Sequence, residues 1–146
     1  GNNMANSLMV GALKTGMSFS IACPENYRPD AALTAWAQGE EFKGRFTMTT
    51  SCAEAAKDAD VVYTDVWASM GEEGEREIRA KAFAGYQVNA ELMSVAKPDA
   101  MVLHCLPAHR GEEITDEVFE AHAEEIFDEA ENRLHAQKAV LCKLMK

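Results

Sequence analysis

The sequence predicts an α/β domain built on a parallel sheet with helices on both faces. Three observations predict it. Short apolar, β-branched runs alternate with amphipathic helical stretches through most of the chain. The runs are bounded by Pro, Gly and Asp, which punctuate strands and helices. The apolar run at 101–104 breaks at once into a loop holding a thiol, an imidazole and a proline, as strand ends at a ligand-binding edge do. The class is therefore a doubly wound parallel sheet, Rossmann-like and three-layered. The chain opens directly on a helical pattern, so the sheet is expected to lack its first strand.

Met4–Thr15 carries Ala5, Leu8, Met9, Ala12 and Leu13 on one helical face, with Asn2 or Asn3 to cap it and Gly16 to stop it. Phe19–Cys23 is a strand closed by Pro24. Pro29 and Asp30 open a helix carrying Leu33, Trp36 and Ala37, and Arg45–Thr49 is the second strand. Ser51 with Glu54 forms a capping box for a short helix ending near Lys57. Asp60–Thr64 is a buried strand by its β-branched and aromatic content. A turn-rich loop, Asp65–Gly74, leads to a charged helix over Glu75–Phe83. Asn89 caps a helix to about Ala96, and Pro98-Asp99 turns into the strand Met101–His104. A helix over Asp116–Ala121 is capped by Thr115 or Asp116. The last helix runs from about Asp128 to the end, with an apolar stripe of Ala130, Leu134, Leu141 and Leu144 broken by Gln137.

The chain has 146 residues, 47% of them hydrophobic and 26% charged, which suits one domain with its own core. A net charge of −10 weighs against nucleic acid or an anionic membrane as partner, since both select basic surfaces. Cys23, Cys52, Cys105 and Cys142 are widely spaced and form no C-x-x-C pair. They read as free thiols of a reducing compartment, the cytoplasm or a mitochondrial matrix, and not of a secreted protein. The sequence has no run of transmembrane length, no G-x-G-x-x-G, no P-loop, no G-x-S-x-G and no H-E-x-x-H.

Right-handed crossovers bring the strand ends to one edge, so Asp65, His104-Cys105 and the start of the first helix are expected to meet there. Asn2 and Asn3 serve either as a helix cap or, with the helix N-terminus, as a carboxylate or phosphate site. Asp65 is a turn former or an anchor for an ammonium group. Ser69-Met70-Gly71 is a solvated loop or a lid over a substrate. Neighbouring strand residues point to opposite faces, which argues against a His104–Cys105 nucleophile pair. A metal site from His104, Cys105 and His109 lacks a recognised ligand spacing. Pro107 is a candidate cis proline. Arg133 either pairs with Glu129 along its helix or reaches into the cleft to hold an anionic oxygen.

Four motifs stand in order: Gly1-Asn2-Asn3 before a helix, Asp65-Val66-Trp67-Ala68-Ser69-Met70-Gly71, His104-Cys105-Leu106-Pro107, and Glu131-Asn132-Arg133. Together they resemble ornithine carbamoyltransferase, over the whole chain but only its carboxyl-terminal, ornithine-binding half. The resemblance implies that Asn3, Asp65, Ser69 and Met70 bind ornithine, with Asp65 on its α-ammonium and the Ser69-Met70 loop closing over it. It implies that Cys105 and Leu106 line the junction with carbamoyl phosphate and that Arg133 holds a carbamoyl phosphate oxygen. Cys105 and Arg133 would be the catalytic pair, with no metal or organic cofactor. His-Cys-Leu-Pro favours ornithine over aspartate, whose enzymes look like His-Pro-Leu-Pro there. Putrescine or acetylornithine as the amine, and a non-catalytic amino-acid-binding module, are the alternatives. The family's Ser-x-Arg-Thr-Arg and His-Pro-x-Gln motifs, which belong to the carbamoyl phosphate domain, do not occur here. The implied partners are therefore L-ornithine, carbamoyl phosphate and a missing carbamoyl-phosphate-binding domain, in a homotrimer or larger assembly. On that view Val140, Leu141 and Met145 at the end of the last helix form an exposed apolar patch.

Overall fold

A computed structural model describes residues 1–68 and 73–145 of the chain. Its elements follow the predicted alternation: α1 (Asn3–Lys14), β1 (Phe19–Ala22), α2 (Ala31–Ala37), β2 (Phe46–Thr49), α3 (Cys52–Ala56), β3 (Val61–Thr64), α4 (Arg76–Ala82), α5 (Ala90–Met93), β4 (Met101–His104), α6 (Asp116–Ala121) and α7 (Ala123–Leu144). Single 3₁₀ turns at Glu25–Tyr27, Glu40–Phe42 and Glu73–Glu75 fill connections read from sequence as loops or, at Glu75, as helix.

Local chemistry sets the boundaries. Asn2 caps α1 by accepting from the Ala5 amide, Asp30 caps α2 through Ala32 and Leu33, and Thr115 caps α6 through Val118. Gly16 ends the α1 turn at φ +92°, a conformation costly for any residue with a Cβ. Ser51 caps α3 through the Glu54 amide. The reciprocal half of the expected capping box is absent, because the Glu54 carboxylate accepts from the Thr49 hydroxyl at 2.5 Å instead.

The strands pair in parallel, β1 with β2 and β3 with β4, as two separate two-stranded sheets among the described residues. Each pair has its own core. Met9, Leu13, Ala37 and Phe42 bury one, with Phe19, Leu33, Trp36 and Phe46 against it. Val62, Val88, Val102, Ile114, Val118, Phe119 and Ile126 bury the other.

The last helix differs most from its prediction. It begins at Ala123, five residues before the expected Asp128, one residue after α6 ends its cap at His122. Its buried residue is Ile126, while Leu134, Leu141 and Leu144 of the predicted stripe are 65%, 56% and 75% exposed. Val140 and Met145 are exposed as well, which gives the expected apolar patch. No helix among the described residues is long and apolar enough to cross a membrane.

Candidate active site

The register of β3 and β4 builds the centre of the site. Thr64 lies opposite His104, so the next residues, Asp65 and Cys105, leave the sheet side by side. The Cys105 thiol donates to Asp65 Oδ1 at 3.0 Å. Asp65 also accepts from its neighbour's amide, Val66, at 2.7 Å, and its Oδ2 accepts from Asn2 Nδ2 at 2.6 Å. Asn2 thus caps α1 with its oxygen and ties the start of that helix to the end of β3 with its nitrogen. Asn3, one residue on, is left to face the cleft. The two asparagines divide the roles of cap and cleft residue.

Burial raises the Cys105 pKa to about 12, and the hydrogen bond to Asp65 and its negative charge add to the shift. At neutral pH this residue is a thiol, which is what a donor to Asp65 must be. A thiolate nucleophile does not fit this setting. Tyr63 sits beside it, with its hydroxyl donating to Glu129 Oε1 at 2.9 Å, and burial followed by that carboxylate raises the phenol pKa far above its ordinary value.

His104 points the other way and is fully buried. Its Nδ1 accepts from the Leu106 amide at 2.9 Å, so Nε2 carries the proton and donates to Glu113 Oε1 at 3.0 Å. Both ring nitrogens are occupied, which removes His104 from any metal site with Cys105 and His109. The backbone between the two side chains is forced into an unusual path. Leu106 has φ +54°, and the Leu106–Pro107 bond is cis. Leu106 holds this left-handed conformation, uncommon for a residue with a Cβ, while its side chain packs on the β3–β4 core.

α7 supplies the remaining wall. Glu125 and Glu129 lie one turn apart and accept the Val102 and His104 amides of β4 at 2.9 and 3.0 Å. The next residue on that face is Arg133, carried one turn further, past the end of β4. Because Glu129 is committed to Tyr63 and His104, Arg133 has no ion-pair partner among the described residues. An exposed, unpaired guanidinium on the rim of a cleft suits an anionic ligand.

The cleft has a volume of about 830 Å³. Asn3, Asp65, Cys105, Leu106 and Arg133 all line it, so every predicted site residue within the described part of the chain converges there. Ser69 and Met70 lie outside the described residues. Arg76 and Glu112, which sequence reasoning did not single out, also line the cleft and form an ion pair joining α4 to the loop after β4. Glu113 was missed too, and Glu129 was considered only as an ion-pair partner of Arg133, not as the acceptor for β4 and Tyr63. The available signal for Glu129 was its spacing of four from Arg133. Glu113 had none, since nothing local distinguishes it from the solvated Glu112.

Residues 1–144 match the family described as aspartate/ornithine carbamoyltransferase, Asp/Orn binding domain. The ornithine carbamoyltransferase of Methanosarcina acetivorans is 55% identical over 146 residues, covering all of this chain and 48% of that protein. Among solved structures, the anabolic ornithine carbamoyltransferase of Campylobacter jejuni superposes with a TM-score of 0.91 at 46% identity, covering 98% of this chain and 48% of that one. The Pyrococcus furiosus ornithine carbamoyltransferase gives 0.87 at 52% identity, over 97% and 46%. The chain spans about half the length of the relatives it matches. The match spans the parallel strand pairs and the cleft: the chain belongs to the aspartate/ornithine carbamoyltransferase family and corresponds to its Asp/Orn binding domain.

Proposed function

We propose that this chain is the ornithine-binding domain of an ornithine carbamoyltransferase, supplying the ornithine side of a site where the carbamoyl group passes from carbamoyl phosphate to the δ-amine, giving L-citrulline and phosphate. The observation that carries the reading is the convergence of Asn3, Asp65, Cys105, Leu106 and Arg133 on one cleft. Asp65 offers a carboxylate to the α-ammonium, and Ser69 and Met70 complete the ornithine contacts. The δ-nitrogen must be neutral to attack, yet an alkyl ammonium ordinarily titrates near pH ~10.4. Desolvation in a closed cleft favours the neutral amine. The nitrogen lone pair then forms a C–N bond to the carbamoyl carbon, the C–O bond to phosphate breaks, and the departing phosphate takes up the one proton that the nitrogen gives up. Cys105, as a neutral thiol, orients the amine. Arg133 holds the oxygen on which negative charge develops, with Leu106 lining the carbamoyl side.

On this reading a partner domain carries the phosphate-binding motifs, and the exposed end of α7 lies against that partner. The whole protein acts in arginine and other amino-acid biosynthesis or the urea cycle, as a cytoplasmic homotrimer or larger assembly. No metal or organic cofactor takes part in the transfer.

Steady-state rates of the full-length protein with ornithine, putrescine and acetylornithine test the proposal. Ornithine is expected to be the preferred amine, and Arg133→Ala to lower kcat by roughly 10²–10³-fold, as loss of an oxyanion donor does. The 146-residue chain alone is expected to form no appreciable citrulline. Turnover by that chain, or a preference for another amine, overturns the assignment.

A further inference from the structure

Among the described residues, Glu113 is the one buried acid whose side chain is only half satisfied. It is fully buried, and its Oε1 accepts from His104 Nε2 at 3.0 Å and from the His109 amide at 2.6 Å. Its Oε2 is equally buried and has no hydrogen-bond partner. His104 Nδ1 accepts from the Leu106 amide, so its Nε2–H is the donor to Oε1, and with the His109 amide both lone pairs of that oxygen are used. A bare carboxylate oxygen in the interior calls for a donor or a cation.

Oε2 faces His109 Nδ1 across 3.9 Å, too far for a hydrogen bond. A ring nitrogen of His109, a Glu112 carboxylate oxygen and a Glu113 carboxylate oxygen lie within 4.8 Å of one another. Ligand atoms around a tetrahedral zinc-type ion, each about 2.0–2.2 Å from it, stand about 3.5 Å apart. Small rotations of His109 and Glu112, both partly exposed, close that difference, while Glu113 stays fixed by its two donors. His109 and Glu112 line the cleft, so a fourth coordination position opens toward it.

We propose that His109, Glu112 and the bare oxygen of Glu113 form a binding site for a divalent first-row cation at the rim of the cleft. One imidazole and two carboxylates suit Zn²⁺, Co²⁺ or Mn²⁺ better than Ca²⁺ or Mg²⁺, which take all-oxygen sites. The site lies beyond the residues assigned to carbamoyl transfer and does not depend on that reading. Its competitor is Arg76, whose guanidinium pairs with Glu112. Arg76 is more than half exposed, and exposed ion pairs are weak, so the cation displaces it. Loading the site therefore pins the 109–113 loop, which continues the chain from Cys105 and Leu106, and frees Arg76 beside the same cleft.

Titration of the untagged 146-residue chain with Co²⁺, under reducing conditions, reads the site through its visible absorption and by calorimetry. One equivalent is expected to bind with ligand-field bands and no thiolate-to-cobalt charge transfer. His109→Ala and Glu112→Gln, both partly exposed, are expected to weaken binding about tenfold or more with the circular dichroism unchanged. Glu113→Gln is expected to do the same, but the other two variants carry the test if it misfolds. Cys105→Ser and Cys142→Ser are expected to leave the affinity within about twofold of the parent chain. No saturable binding up to millimolar Co²⁺, binding lost in either cysteine variant, or binding that survives His109→Ala and Glu112→Gln each overturns the proposal.

Discussion

Cys105 shows how much a single contact can decide. Written beside His104 it invites the reading of a nucleophile with its base, yet strand alternation sends the two side chains to opposite partners, Asp65 and Glu113. Burial and then Asp65 push the thiol pKa up to about 12. The native state therefore binds a proton that the unfolded chain gives up at lower pH. The associated stability is complete below the ordinary thiol range and is lost as pH rises toward 12. At pH 8, iodoacetamide is expected to modify exposed Cys142 well before Cys105. Asp65→Asn removes both the acceptor charge and the like-charge repulsion, so alkylation of Cys105 should quicken several-fold, as followed by peptide mass spectrometry. An unchanged rate would show that burial alone sets the shift. This position was legible from the sequence because its chemistry follows from strand register. Glu113 was not, because its significance comes from being buried, and neighbouring Glu112 has the same local pattern.

At the scale of elements, α7 and β4 form an unusual joint. The free edge of a strand exposes amides that another strand would satisfy. Here Glu125 and Glu129 accept those of Val102 and His104, and the same helical face then delivers Arg133 to the cleft. Glu129→Ala is expected to cost about 1–3 kcal/mol in urea unfolding, by leaving the His104 amide and the Tyr63 hydroxyl without their acceptor. Glu129→Gln should cost less, since its amide oxygen still accepts. Exposed Glu124→Ala should stay within about 0.5 kcal/mol of the parent chain. Equal losses for Glu124→Ala and Glu129→Ala would rule out the joint. The four strands and the caps by Asp30, Ser51 and Asn89 were readable, and the α1 and α6 caps were narrowed to Asn2 or Asn3 and Thr115 or Asp116, since each rests on residues close in sequence. The start of α7 was not. Glu125 reads as one more solvated acid of the 124–128 run until the β4 amide that it accepts from is known.

The whole molecule divides along the line its strands draw. β1 and β2 share one apolar cluster with α1 and α2, and β3 and β4 share another with α6 and α7. What crosses between them is largely polar or at the surface. Asn2 bonds to Asp65, the Tyr86 hydroxyl donates to the Thr50 carbonyl, and the Tyr27, Phe83 and Trp67 rings meet, while α3 touches both β1 and α5. Periodicity placed Met9, Leu13 and Ala37 on buried faces but misplaced the α7 stripe, and it did not show two clusters, because the partition depends on which strands pair. Two cores joined mainly through such contacts are expected to open as separate units. Phe42 is almost fully buried, and Phe42→Ala should remove about 3–5 kcal/mol from the first cluster. Native-state hydrogen exchange on that variant is expected to lose protection across α1, α2, β1 and β2, while the amides of β3 and β4 keep theirs within a few-fold. Ile126→Ala should give the reverse pattern. A uniform loss of protection in both variants would mean that the polar bridge at Asn2 and Asp65 couples the cores into one cooperative unit, so that the cleft is no more stable than the weaker of the two.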